Sequence, residues 1–176
     1  NFSRINRDIR LSKDKSPYKS NYYLYVFDRR RDRGETGRLY VGLSAECVTV
    51  GFSIYAAWVR DKQSALATIF RKRFTAHRAI FDRLLANNVR KGRYETYWHR
   101  QEKGEWTLHP NLPKREDDWL TLHAWIVRKV FPSDSNLVTT RAFTERVRRI
   151  FSDLYPLCVF SSSQSPRWQA VLRKRV

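Results

Sequence analysis

The spacing of hydrophobic and polar residues changes several times along the chain, and each change marks an element. Residues 22–27, YYLYVF, are aromatic and β-branched and predict a strand. Residues 39–43 and 47–55 predict a β pair joined at Ser44-Ala45-Glu46. Leu39, Val41 and Leu43 share one face of the first strand. In the second, Val48, Val50, Phe52 and Ile54 make a strongly apolar face, while Cys47, Thr49, Gly51, Ser53 and Tyr55 make one of mostly small residues. A small-residue face lets a helix pack closely or floors a ligand groove; close packing is the commoner use and the one expected. The apolar period then lengthens. Leu66, Ile69, Phe70, Phe74, Ile80, Phe81, Leu84 and Leu85 recur near helical spacing over residues 61–88, with Asp61 as N-cap and a break near Phe74-Thr75.

Residues 94–98 and 105–109 predict a hairpin that mixes Tyr94, Tyr97, Trp98 and Trp106 with Arg93, His99, Arg100 and Lys103. That mixture suits base stacking beside phosphate-holding cations, and it equally suits ordinary cross-strand packing, the commoner outcome. A short helix over 114–119 and a strand over 120–131 follow. A helix then runs from Thr139 or Thr140 to about Leu154, its outer side carrying Arg141, Arg146, Arg148 and Arg149. Residues 155–160 read as extended, and Pro166 opens a last helix. The expected fold is α+β: a mostly antiparallel sheet of five to seven strands with helices packed mainly on one side, in a single domain over residues 1–176.

Residues 4–19, RINRDIRLSKDKSPYK, hold six cations and two carboxylates. If extended, Ile5, Arg7, Ile9 and Leu11 share a face, and Arg4, Asn6, Asp8, Arg10 and Ser12 share the other. A guanidinium among aliphatic side chains must meet a carboxylate or an anion, because burying an unpaired charge is costly. The segment is therefore either an anion site or an internal salt-bridge lattice, the lattice being the more common arrangement.

These residues resemble the signature of a bacterial and fungal family known as domain of unknown function 2461, approximately R-I-Y-R-D-V-R-F-S-K-D-K-T-P-Y-K-T. Arg4, Ile5, Arg7, Asp8, Arg10, Ser12, Lys13, Asp14, Lys15, Pro17, Tyr18 and Lys19 match it. Asn6 replaces the usual aromatic and Leu11 the usual Phe. Residues 39–55 and 143–160 are similar in the same order, so the resemblance covers most of the chain. It implies an α+β fold and no assigned reaction. The helical part that precedes the signature in family members is expected to be missing here.

Charge narrows the partners. Lys and Arg number 35 against 17 Asp and Glu, a net charge of +18. Such an excess destabilises the compact chain by self-repulsion and attracts polyanions, nucleic acid first. Cys47 and Cys158 stand far apart and read as buried free thiols in the cytoplasm or another reducing intracellular compartment. No apolar run is long enough for a membrane-spanning helix. With no Met and with Asn at position 1, the chain reads as a fragment or a processed product.

Phosphate-binding loops, dinucleotide fingerprints, paired-cysteine and zinc-protease motifs are absent, and the four histidines have no zinc spacing. Neither a metal nor a cofactor is expected. The acids Glu116, Asp117 and Asp118 point in different directions from one helical turn. Whether the chain is an enzyme stays open. The favoured reading is a basic domain that binds nucleic acid or another polyanion, with Arg4, Arg7, Asp8, Arg10, Lys13, Lys15, Tyr18 and Lys19 as the anion site. Asp8 there orients an arginine and Tyr18 stacks beside it. The alternatives are an enzyme on a phosphorylated or acidic small substrate, and a structural subunit docking an acidic partner protein.

Overall fold

The computed structural model describes residues 2–6, 10, 15–28, 36–55, 69–103 and 105–173. Strand β1 is Tyr22–Val26, β2 Arg38–Leu43, β3 Cys47–Tyr55, β4 Glu95–Glu102, β5 Glu105–Pro110 and β6 Ala124–Pro132. They form one six-stranded sheet in the order β1-β2-β3-β6-β4-β5, with every pairing antiparallel. The helices are α1 Arg71–Ala76, α2 Arg78–Leu84, α3 Glu116–Thr121, α4 Arg141–Ser162 and α5 Trp168–Arg173. A π-helical stretch, Leu85–Arg90, continues α2. The α+β class, the antiparallel sheet and its strand number are as the hydrophobic pattern predicts.

The alternation of each strand sorts its side chains. Leu39, Val50, Phe52, Ile54, Trp98, Trp125 and Val127 face the helices and join Phe70, Phe74, Phe81, Leu84, Leu154, Phe160 and Trp168 in the main core. At its centre Phe81 meets Trp119 edge-on at 4.8 Å and Trp119 meets Trp125 at 5.1 Å. Burial of each such ring contributes about 1.5–3 kcal/mol, and favourable ring pairing adds about 0.5–1.5 kcal/mol. Helix α4 lies across β3 and β2.

Local signals misplace three boundaries. The long helical pattern breaks at His77, whose φ of −136° leaves the helical region, rather than near Phe74-Thr75. Asp61 lies outside the described residues. The strand predicted from residue 120 begins at Ala124, because Leu120 and Thr121 complete α3. The largest correction is at residues 155–160, which are helical and not extended: α4 continues through Pro156 to Ser162. A proline forfeits one backbone hydrogen bond and crowds the preceding turn. Here Leu154, Leu157, Val159 and Phe160 are all buried, and Ser161 and Ser162 hydroxyls bond back to the Leu157 and Cys158 carbonyls. Packing outweighs the local break signal. Cys158 is thus a helical free thiol, its pKa raised by burial.

One cation holds the helical layer together. From α1, Arg73 donates to the carbonyls of Val159, Phe160 and Ser163, which end α4, and its guanidinium lies 4.3 Å from the Trp168 ring. The Phe160 and Ser163 carbonyls thereby gain a donor from outside the helix, and that of Val159, which already accepts from the Ser163 N–H, gains a second.

Candidate functional site

The helices leave the opposite face of the sheet to the small-residue side of β3. Close helix packing was the expected use of that side; instead it floors a hollow. Cross-strand register explains why. Gly51 stands opposite Tyr40 on β2 and opposite Arg128 on β6, and the row continues to Tyr25 on β1 and Glu95 on β4. The next row runs Arg38, Ser53, Ile126, Tyr97. A third runs Tyr23, Gly42, Thr49. Two rows therefore have a glycine where neighbours carry large rings, and a depression of about 230 Å³ lies on this face. It is lined by Tyr23, Tyr25, Arg38, Tyr40, Thr49, Ser53, Tyr55, Tyr97, Ile126 and Arg128.

The arginines are held by aromatic faces. Arg38, only 9% exposed, sets its guanidinium 4.6 Å from the Tyr25 ring centre and 4.9 Å from that of Tyr55, and donates from Nε to Ser53 Oγ at 3.3 Å. Arg128 lies 5.0 Å from the Tyr97 ring and donates from Nε to Glu95 at 3.2 Å. Such contacts are worth about 0.5–2 kcal/mol each and fix the fork of donors in place.

Burial raises the phenol of Tyr40 well above the usual range and pushes that of Tyr55 up to about 12, against the pull of Arg38 in the latter. Tyr23 and Tyr97 shift in the same direction, burial again leading. Burial alone would lower Arg128, but Tyr97, Glu95 and Tyr40 together raise it. At neutral pH these groups are all protonated. Neither an acid nor a histidine is among the described lining residues. The arrangement can donate hydrogen bonds to an oxyanion; it holds no general base.

Toward β5 the same face becomes apolar and open. The row Tyr55, Ala124, His99, Leu108 leads to Trp106, with Tyr55, Trp106 and Leu108 at 39%, 43% and 57% exposure. The aromatic-basic mixture predicted for residues 94–109 is thus split by strand alternation. Trp98 is buried and stacks on His109 at 4.2 Å, and Tyr94 bonds to Asp153, whereas Tyr97, His99 and Trp106 belong to the open face.

Of the residues expected to bind anions, Arg4, Arg10, Lys15 and Tyr18 are exposed and Lys19 is half-buried. Arg7, Asp8 and Lys13 lie outside the described residues. Antiparallel bridges Asn6–Tyr18 and Phe2–Leu24 fold this segment against the β1 edge, where Ser3 N–H donates to the Tyr23 carbonyl at 2.7 Å. The segment therefore borders the strand that supplies Tyr23 and Tyr25. Sequence reasoning missed Arg38, Arg128, Tyr23, Tyr25, Tyr40 and Tyr55 as a group. The available signal was the small-residue face of β3, one of whose two uses was a groove floor.

A larger cavity, about 380 Å³, opens between the ends of β1 and β2 and helix α4; Val26, Phe27, Asp28, Thr36, Tyr155, Cys158 and Ser162 line it, and no cation does so among the described residues. It is the poorer anion site. The acids of α3 do not converge: Glu116 and Asp117 are exposed, while buried Asp118 accepts from Arg100 Nη1 at 2.9 Å. Among the described residues no group of three or more His, Cys, Asp or Glu is placed to hold a metal ion, and no helix is long and apolar enough to cross a membrane.

No curated protein and no solved structure matches the chain. A family model does, described as conserved hypothetical protein (DUF2461), and it covers residues 1–160 of the 176. The chain belongs to this family, as the signature at residues 4–19 implies.

Proposed function

We propose that this is a basic binding domain for single-stranded nucleic acid or a comparable polyanion, and that the face of its sheet opposite the described helices is the contact surface. The observation that carries the reading is the setting of Arg38 and Arg128 among tyrosines on a face that also exposes Tyr55 and Trp106. Cations hold phosphates while exposed rings stack on bases, a combination that tolerates any base sequence. A sheet face suits splayed bases better than the grooves of a duplex. Arg4 and Lys19, in the described part of the segment that bridges to β1, extend the positive surface and lengthen the path available to a strand.

The test is fluorescence anisotropy with a labelled oligothymidylate of about ten nucleotides, within the site sizes of comparable platforms, over a salt series. The expected result is binding whose logarithm falls with log salt by about 0.7 for each phosphate neutralised. Absence of binding at the lowest salt defeats the proposal. An acidic protein that copurifies after nuclease treatment favours the structural-subunit reading instead. Catalysis on a phosphorylated substrate is the weaker alternative, because the hollow holds no group able to accept a proton at neutral pH among its described lining residues.

A further inference from the structure

We infer that the hollow lined by Arg38, Arg128, Thr49 and Ser53 is a seat for one compact phosphate monoester. This rests on the reading of the open face as an anion-binding surface and names the group bound deepest in it.

The first reason is shape. The depression is about 230 Å³, below the range of about 300–1,000 Å³ typical of pockets for whole small molecules. It admits a single group. Tyr40 and Arg128, the cross-strand neighbours of Gly51, bound it across the strands. Thr49 and Ser53 bound it along β3. A continuous diester chain would have to enter and leave this recess, whereas a terminal phosphate only has to enter.

The second reason is the chemistry of the walls. Arg38 and Arg128 stand on β2 and β6, two strand spacings apart, about 10 Å between axes, and both line the hollow, Arg38 held against the Tyr25 and Tyr55 rings and Arg128 against that of Tyr97. Arg38 is more than nine-tenths buried and is anchored by Tyr25, Tyr55 and Ser53. Ordering it at this depth is costly for a side chain with many rotamers. Hydroxyls of Thr49 and Ser53 lie on the same walls, and phenols that stay protonated supply neutral donors. A phosphate dianion presents three strongly accepting oxygens, which matches a ring of donors coming from several directions. Glu95 takes the Nε–H of Arg128 at the rim; a guanidinium has five N–H groups in all, so the pairing orients the fork without exhausting it.

The phosphate has two sources, the end of a nucleic-acid strand or a free phosphate ester, and the experiment separates them. The probes are oligothymidylates of about ten nucleotides that are identical except for a terminal phosphate or a terminal hydroxyl, and inorganic phosphate as competitor. The expected result is binding about tenfold tighter for the phosphorylated strand, the size of one charge-assisted contact, with that preference abolished by inorganic phosphate. Arg38→Gln is expected to remove the preference. Since Arg38 is buried, half-exposed Arg128→Gln and Thr49→Val provide the same readout without depending on its fold, and thermal melts verify each variant. If no strand binds but inorganic phosphate raises the melting temperature of the wild type and not of Arg128→Gln, the seat stands as a site for a free ester and the nucleic-acid reading falls. If both strands bind equally and inorganic phosphate neither competes nor stabilises, the seat is overturned while the nucleic-acid reading survives.

Discussion

Gly51 on β3 stands directly opposite Arg128 on β6, and a Cβ added at Gly51 would lie 2.1 Å from the Val127 carbonyl oxygen and 2.9 Å from the Arg128 Cα. The glycine lets the central strands approach. Gly42 is different: a Cβ there meets the Thr49 hydroxyl at 2.6 Å and the Tyr23 ring at 2.7 Å, both of them side chains.

Gly51→Ala is therefore expected to destabilise the fold by about 1–3 kcal/mol, as overpacking against backbone does. Gly42→Ala is expected to cost less, because rotamers relax more easily than strands. Urea unfolding of the two variants measures the difference. Equal losses contradict the backbone argument.

Arg73→Ala removes the donors to Val159, Phe160 and Ser163 at the end of α4 and the guanidinium over Trp168. The expected loss is about 3 kcal/mol, the scale of a charged donor that leaves buried carbonyls unsatisfied. Arg73→Lys is expected to recover less than half, since an ammonium lacks the planar fork. Hydrogen exchange provides the local check, with protection falling first in the last turn of α4 and in α5.

Asp118 joins α3 to the β4–β5 hairpin. It accepts from Arg100 Nη1 at 2.9 Å and from the Arg115 backbone N–H at 3.3 Å, and Arg100 also pairs with Glu102. Asp118→Ala is expected to cost about 2 kcal/mol, part of it the lost cap and part the stranded guanidinium. A double-mutant cycle with Arg100→Ala isolates the pair; a coupling within error of zero means the contact contributes nothing.

Alkaline stability follows from the phenols. Tyr23, Tyr40, Tyr55, Tyr94 and Tyr97 are all raised, burial leading in each. A raised pKa means the folded state keeps a proton that the unfolded chain releases near pH 10, so stability is fully present below that pH and declines as pH rises through the folded values. For Tyr55 the window runs from its ordinary value of 10.0 to about 12. The melting temperature is expected to decline above about pH 10, with phenolate absorbance appearing for these tyrosines together with unfolding. Full titration of every tyrosine before unfolding would count against their burial.

The residues 154–162 show how local and global signals compete. Pro156 argues against a continuous helix, yet α4 passes through it because Leu154, Leu157, Val159 and Phe160 fill the core. A proline is visible in the sequence; the partners that outweigh it come from β2, β3 and α1 and are not. Residues 94–109 make the same point at the candidate site. Their composition announces cations beside rings, but only strand pairing decides that Trp98 is buried while Tyr97 and Trp106 face outward.

What the sequence by itself determined is whatever depends on near neighbours or on sums. Aromatic and β-branched content identified the strand over residues 22–27, period-two alternation those over 39–43 and 47–55, the helical period the apolar residues from Phe70 to Leu85, the resemblance the family, and counting the charge. Tertiary structure decided which face of β3 the helices cover. It also brought Arg38 and Arg128, 90 positions apart in the sequence, onto the two strands that flank β3. The reason is physical: alternation specifies that a strand has two faces, but only the order in which strands hydrogen-bond determines which distant side chains share one.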